Sequence, residues 1–232
     1  MSDSGPVQPN LLHAADQQPS QQPSSEQRWT ILPADFFARD PVLVARELIG
    51  TRLVRTLEDG RVLAGRVVEA EAYDCLRDPS CHVIRRLPGA EKALSGPPGR
   101  LYFHASYEHK LLNVVCCEEG VQATILIRAL EPVQGEEEML TFRSVRRRLD
   151  LTNGPAKLMQ ALSITPDLNG AQVDGPALHF LAGEPLPDET IEITARVGLR
   201  LGAELPWRFL ERGNAWVSAG KPSAKLDVKP EL

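Results

Sequence analysis

The sequence predicts an α+β fold: a single mixed domain with a central antiparallel β-sheet, flanked by helices and carrying a protruding β-hairpin. Three observations point there. Segments rich in β-branched and aromatic residues outnumber helical patterns along the chain. The few helical patterns are interspersed among them. The 232 residues show no internal repeat, and that length suits one large domain.

The elements follow in order. Residues 1–28 are rich in Gln, Ser, Pro and Asp and poor in large apolar groups. They cannot bury enough surface to offset chain entropy, so a disordered tail is expected. Order should begin near Trp29. Asp40-Pro41 is a helix start, with Asp as N-cap and Pro in the first turn. That helix carries Leu43, Val44 and Leu48 and stops at Gly50. Residues 51–57 and 61–73 read as strands joined by the turn Glu58-Asp59-Gly60. Residues 74–99 form a long polar connection with Pro79, Pro88, Pro97 and Pro98, and long loops inside a domain often serve function. Residues 101–107, 111–117 and 122–130 are further strands. Residues 132–149 read as helical. A second short helix covers 154–163, with Leu158, Met159 and Leu162 at helical spacing. Residues 191–197 and 207–210 are late strands. The end, 219–232, is polar and expected to fray.

Bulk properties narrow the function classes. The apolar fraction of 42% and the charged fraction of 25% are those of an ordinary soluble protein. No run of about 18 apolar residues is present, so no membrane span or membrane partner is expected. The N-terminus lacks a basic-then-apolar pattern, so the expected location is cytoplasmic. Cys75, Cys81, Cys116 and Cys117 are then expected as reduced thiols. Cys75, Cys81 and His82 lie close in sequence, but no fourth ligand follows at zinc-like spacing, so no metal is expected. The net charge of −5 argues weakly against nucleic acid, because binding depends on local charge. Basic residues do cluster at Arg85 and Arg86 and again at Arg143, Arg146, Arg147 and Arg148, although such a cluster is usually a solvated face.

The most informative stretch is RVVEAEAY, residues 66–73. A strand sends successive side chains to opposite faces. Glu69, Glu71 and Tyr73 therefore share one face, with Val68, Ala70 and Ala72 behind them. A fixed carboxylate beside a flat ring suits an enzyme that holds a planar group and activates water. A surface strand with two solvated glutamates is the plainer alternative.

Further motifs carry a resemblance. GRVVEAEAY (65–73) is followed by His82, PPGRLYF (97–103), Tyr107, Asn113 and ILIRALEP (125–132). Then come NGPAKLMQAL (153–162), ARVGL (195–199) and PWRF…WVS (206–218). In this order the set resembles the alkyladenine (3-methyladenine) DNA glycosylases of the mammalian type, monofunctional enzymes, over roughly residues 31–218. The resemblance implies a glycosylase domain at 29–218 between the two tails. It implies base excision repair of alkylated or deaminated purines in double-stranded DNA, by a monomer needing no cofactor, in the cytoplasm or with the DNA of nucleoid or nucleus.

The same resemblance assigns roles. Glu71 would deprotonate the water that attacks the sugar C1′, with Arg128 and the Val197 carbonyl holding that water. Tyr73 and His82 would line the base pocket. Tyr107 would intercalate where the flipped base leaves the stack. Asn113 would clash with the exocyclic amino group of guanine. The chain also departs from the family. His104 stands where a second tyrosine is usual. The stretch YEHKLLN (107–113) is one residue short, with Glu108 and His109 where Gly-Met is typical, and the loop after His82 reads RRLPGAEKALSG in place of an RTxRN-like run. These departures bear on substrate range more than on catalysis. A non-catalytic nucleic-acid-binding module on the same scaffold is the alternative function.

Overall fold

The computed structural model describes residue 1 and residues 29–81, 89–106, 108–183 and 185–226. Two strands near the chain's first third set the plan. β2 (Arg52–Thr56) turns through Asp59-Gly60 into β3 (Val62–Asp74), pairing Arg52 with Arg66 and Thr56 with Val62. β3 is the longest strand, and β6 (Ala123–Gln134) runs antiparallel along nearly all of it. Around this pair lies a nine-stranded antiparallel sheet among the described residues. β5 (His109–Val115) and then β4 (Leu101–Ser106) extend it beyond β6. On the other side of β3, β2 covers the first half and β9 (Arg208–Glu211) covers Glu69–Glu71, with β8 (Ile191–Thr194) outside β9. β7 (Leu178–Ala182) and the two-residue β1 (Thr30–Ile31) complete the edge beyond β2. The expected antiparallel α+β architecture is what the chain adopts.

Four α-helices are described: α1 (Pro41–Glu47), α2 (Ala90–Leu94), α3 (Glu136–Phe142) and α4 (Pro155–Ala161). The core forms on one face of the sheet. Val68, Ala70 and Ala72 of β3, Ile125 and Ile127 of β6 and Leu112 and Val114 of β5 pack with Val44, Ala45 and Leu48 of the α1 region and Leu158, Met159 and Ala161 of α4. A fully buried side chain of this size contributes about 1.5–3 kcal/mol by leaving water. The opposite face of β3 is left for polar groups.

Only Asn113, Val114 and Val115 of β5 pair with β6. The rest of the β4–β5 hairpin, Phe103 to Ser106 against His109 to Leu112, therefore extends past the sheet body, as expected. Several elements differ from the sequence reading. The helix expected over 132–149 is confined to Glu136–Phe142, because β6 continues through Pro132 to Gln134, pairing Pro132 with Gly65 and Gln134 with Ala64. The missing Pro amide is tolerated because the ladder is interrupted by the register shift between Ala64 and Gly65. The 74–99 connection contains α2, and β1 and β7 were not anticipated. Beyond Ser218 the chain does not fray over 219–226: Pro222 bridges Val197, and the Ser223 amide donates to the Arg196 carbonyl at 2.8 Å.

The start of α1 matches its sequence signature. The Asp40 carboxylate accepts from the Val42 amide at 2.8 Å, and its other oxygen takes Arg77, which also bonds Asp74 at the end of β3. Asp40→Ala is expected to lower unfolding stability by about 1 kcal/mol, the usual value of an N-cap. Urea denaturation followed by circular dichroism measures it, and an unchanged midpoint would contradict the role of the cap.

Candidate active site

A double irregularity in the β3–β6 ladder builds the site. Val67 pairs Leu130, Glu69 pairs Ala129 and Ala70 pairs Ile127. Val68 on one strand and Arg128 on the other are thus left out of register. Such bulges re-aim side chains. Here the bulge brings the Arg128 guanidinium onto Glu69 and Glu71 together, at 2.7 and 3.3 Å. Both glutamates are 0% exposed, so the solvated-strand alternative does not hold.

Glu69 is the more heavily bonded of the two. One oxygen accepts from Arg128 Nε and Arg208 Nε, each at 2.7 Å, and from the Ser218 hydroxyl at 2.9 Å. The other accepts from the Ser218 amide at 2.7 Å. Burial alone would raise its pKa; Arg128 and Arg208, with the Ser218 amide, outweigh that and hold it below the usual carboxylate range.

Glu71 is held differently. Its Oε1 accepts from the Val197 amide at 2.7 Å, and its Oε2 accepts from the Tyr73 hydroxyl at 2.8 Å and from Arg128. A carboxylate offers about four lone-pair positions, so among the described residues one position, on Oε1, stays open to a further donor. Burial and the neighbouring Glu71 charge push the Tyr73 phenol pKa well up, so that ring keeps its proton and remains a donor. For Arg128, burial opposes the charge and the two glutamates more than restore it. Gly220 lies directly over the site: a Cβ there would come within 2.8 Å of Val197 and 3.2 Å of Arg128 Nη2, so only glycine lets the chain pass. The expected trio of Glu71, Arg128 and Val197 is thus assembled, with the Val197 amide bound to Glu71.

The ladder also places the expected pocket residues. Tyr102 pairs Asn113, Asn113 pairs Leu126, and Leu126 pairs Glu71. Directly opposed residues share a face, with strands about 4.8 Å apart, so Asn113 stands on the Glu71 face about 10 Å away. It is buried, and its side-chain amide donates to the Leu111 carbonyl at 3.0 Å. His104, two residues beyond Tyr102, shares that face near the hairpin, its ring 6.2 Å from that of Tyr102. Its Nδ1 is buried without a hydrogen-bond partner among the described residues. Burial, then Lys110, lowers its pKa below the ordinary histidine value, so the ring is neutral at neutral pH. His82 and Tyr107, and Arg85 and Arg86 of the basic cluster, lie outside the described residues.

Sequence reasoning gave no roles to Arg208, Ser218, Asp78 or Arg196. The first two stand in the quoted PWRF and WVS motifs, yet nothing local in sequence links them to Glu69. Arg196, completely buried, lies over the Tyr73 ring with Cζ 4.5 Å from its centroid and is paired to Asp78.

Comparison with known proteins follows the same lines. The family model for methylpurine-DNA glycosylase matches residues 35–215. A protein of Deinococcus radiodurans is 51% identical over 185 residues, covering 79% of this chain and 97% of that protein. One of Gloeobacter violaceus is 50% identical, covering 81% and 86%. One of Carboxydothermus hydrogenoformans is 40% identical, covering 81% and 98%. All three carry the provisional name 3-methyladenine DNA glycosylase.

The Glu69 cluster makes a stability prediction. Glu69→Gln leaves the buried Arg208 without its counter-charge and Arg128 with Glu71 alone, and should cost about 3–5 kcal/mol at pH 7. Because the folded-state pKa of Glu69 is depressed, its contribution is complete above about pH 4.5 and is lost as the pH falls through the lower folded value. The stability difference between wild type and variant, read by urea denaturation, should therefore shrink between pH 7 and about pH 3. An equal difference at both would show that the carboxylate charge is not what stabilises the cluster.

Proposed function

The chain belongs to the methylpurine-DNA glycosylase family, and from that premise we propose that it is a monofunctional DNA glycosylase excising alkylated or deaminated purines from duplex DNA. The family makes it a DNA repair hydrolase. The relatives compared are bacterial and do not support the finer label of a mammalian type. The observation that carries the mechanism is the arrangement of Glu71: a buried carboxylate fixed by three donors with one acceptor position left open on Oε1.

A water bound there gives its proton to Glu71 while its oxygen attacks C1′, and the base leaves with the glycosidic bonding pair. The sugar passes through an oxocarbenium-like transition state, which the adjacent carboxylate stabilises. Arg128, pinned by Glu69, orients the water together with the Val197 carbonyl. Tyr73 supplies a stacking surface for the flipped base, worth about 1–3 kcal/mol. Asn113 clashes with the exocyclic amino group of guanine, and His104 replaces a tyrosine on the hairpin side. The family resemblance assigns His82 to the base pocket and Tyr107 to the gap in the DNA stack. Residues 29–218 form the glycosylase domain, acting as a monomer without a cofactor. No helix among the described residues is long and apolar enough to cross a membrane, and the proposed place of action is the cytoplasm or nucleoid, where DNA is.

Glu71→Gln is expected to slow single-turnover base release by about 10²–10⁴-fold, the usual worth of a general base, while lesion-duplex affinity stays near wild type. Gel analysis of alkali-treated duplexes gives the rate. A loss of only a few-fold would remove Glu71 from the role, and persistent binding without any wild-type excision would favour a binding module instead.

His104 bears on lesion choice. An imidazole is a smaller platform than a phenol, and an imidazolium repels a cationic base. With its pKa held down by burial and Lys110, that repulsion sets in only below about pH 6.5. His104→Tyr should raise excision of a cationic methylpurine more than excision of hypoxanthine, with the gap widening as the pH falls below that value. Equal changes on both lesions would show that His104 does not face the base.

A further inference from the structure

Arg196 is the largest completely buried side chain of the described residues, and the reaction outlined above does not use it. Its Nη1 donates to the Ala72 carbonyl at 3.0 Å and to the Asp78 carboxylate, and its Nη2 donates to the Gly202 carbonyl at 3.1 Å. Its Cζ lies 4.5 Å from the Tyr73 ring centroid and 5.3 Å from that of Trp207. The site is built for this pair. A Cβ on Gly202 would come within 2.8 Å of Asp78 and 3.2 Å of Arg196, at a backbone φ of +61° that also favours glycine.

One face of Tyr73 is thus covered by a fixed guanidinium, and a base can stack only on the other. We propose that Arg196 is a positioning residue that sets the charge preference of the base pocket, holding the Tyr73 ring from behind and weakening that ring's attraction for a positively charged base on its open face. The proposal rests on the reading of Tyr73 as the stacking platform. An aromatic face attracts a cation through its quadrupole. A cation already on the far face draws the same electron density and repels the second charge across the ring, in a medium that screens poorly. Stacking of a neutral base depends on dispersion and area and loses little. Asp78, paired to Arg196 on the side away from bulk water, offsets part of that positive field.

The two charges therefore predict opposite shifts. Asp78→Asn keeps the guanidinium, removes its counter-charge, and retains an oxygen for the Ser80 amide now bonded to Asp78. Arg196→Gln combined with Asp78→Asn removes both charges. Single-turnover excision is measured on duplexes carrying 3-methyladenine, which is cationic, and hypoxanthine, which is neutral, and the ratio of the two rates is taken. Asp78→Asn should lower the cationic-to-neutral ratio, and the double variant should raise it, each by about two- to fivefold, the size of a modest cation–π interaction at tenfold per 1.4 kcal/mol. A smaller fraction of folded, active enzyme scales both rates alike and cancels in the ratio. An unchanged ratio, or a shift of the same sign in both variants, overturns the proposal. If the double variant does not fold, the sign of the Asp78→Asn shift decides alone. Tyr73→Leu separates the premise from the inference. Unchanged affinity for both lesions would remove Tyr73 from the pocket and the proposal with it. Weakened affinity for both, with no response of the ratio to Asp78 or Arg196, would leave the stacking platform intact and refute the role of Arg196.

Discussion

A carboxylate taken fully out of water must be met by positive charge or give up its own, and Glu69 is met by Arg128 and Arg208. The rest of the site follows from that pairing. Arg128 reaches Glu71 only because Glu69 holds its Nε, and Ser218 is drawn down onto the same carboxylate by two hydrogen bonds. With Ser218 fixed, Gly220 and Pro222 pass over Val197, whose amide then meets Glu71. Together with Asp78 and Arg196, three buried carboxylates face three buried guanidiniums, so acidic and basic groups match in number beside β3. Any surplus of either sign would bias the site toward ligands of the opposite charge.

Much of this was legible in the sequence. The alternation of Glu69, Glu71 and Tyr73 against Ala70 and Ala72 put the two carboxylates and the ring on one face, and that is where they lie. Asp40-Pro41 marked the start of α1, and the Asp59-Gly60 turn marked the β2–β3 hairpin. What stayed hidden depends on partners far apart in sequence. Arg128 looks like an ordinary strand residue, and only the bulge opposite Val68 turns it onto the glutamates. Periodicity cannot reveal a bulge, because one extra residue on each strand leaves the apolar pattern nearly unchanged. The over-long helix of the sequence reading had a related cause. The acidic run 136–138 and Met139 carry a helical pattern, and Pro132 seemed a natural start for it, yet strand pairing with Gly65 and Ala64 wins through Gln134.

The departures from the family pattern lie in sequence outside the strands that hold the buried carboxylates. Glu69, Glu71, Arg128, Val197 and Ser218 occupy the sheet body, where β3, β6 and β9 fix one another. His104, the shortened turn and the altered loop after His82 belong to the hairpin side or to the connection before β4. A hairpin paired to the body by three residues of β5 can change its tip without disturbing the ladder that holds the carboxylates. The hairpin is therefore mechanically separate from the ladder that assembles the buried carboxylates.

The spacing of the Glu69 partners has a consequence in time. Arg128 is 59 residues downstream of Glu69, but Arg208 and Ser218 are 139 and 149 residues downstream. Translation proceeds at about 5–20 residues per second, so the glutamate strand is made on the order of 10 s before the residues that close over it. During that interval Glu71 lacks the Val197 amide and Glu69 lacks half of its counter-charge. A polypeptide interrupted before Ser218 holds every residue of the proposed water-activating set, Glu71, Arg128 and Val197, without the closure that arranges them. The closed arrangement of the buried carboxylates is therefore completed only when the last part of the chain has been made.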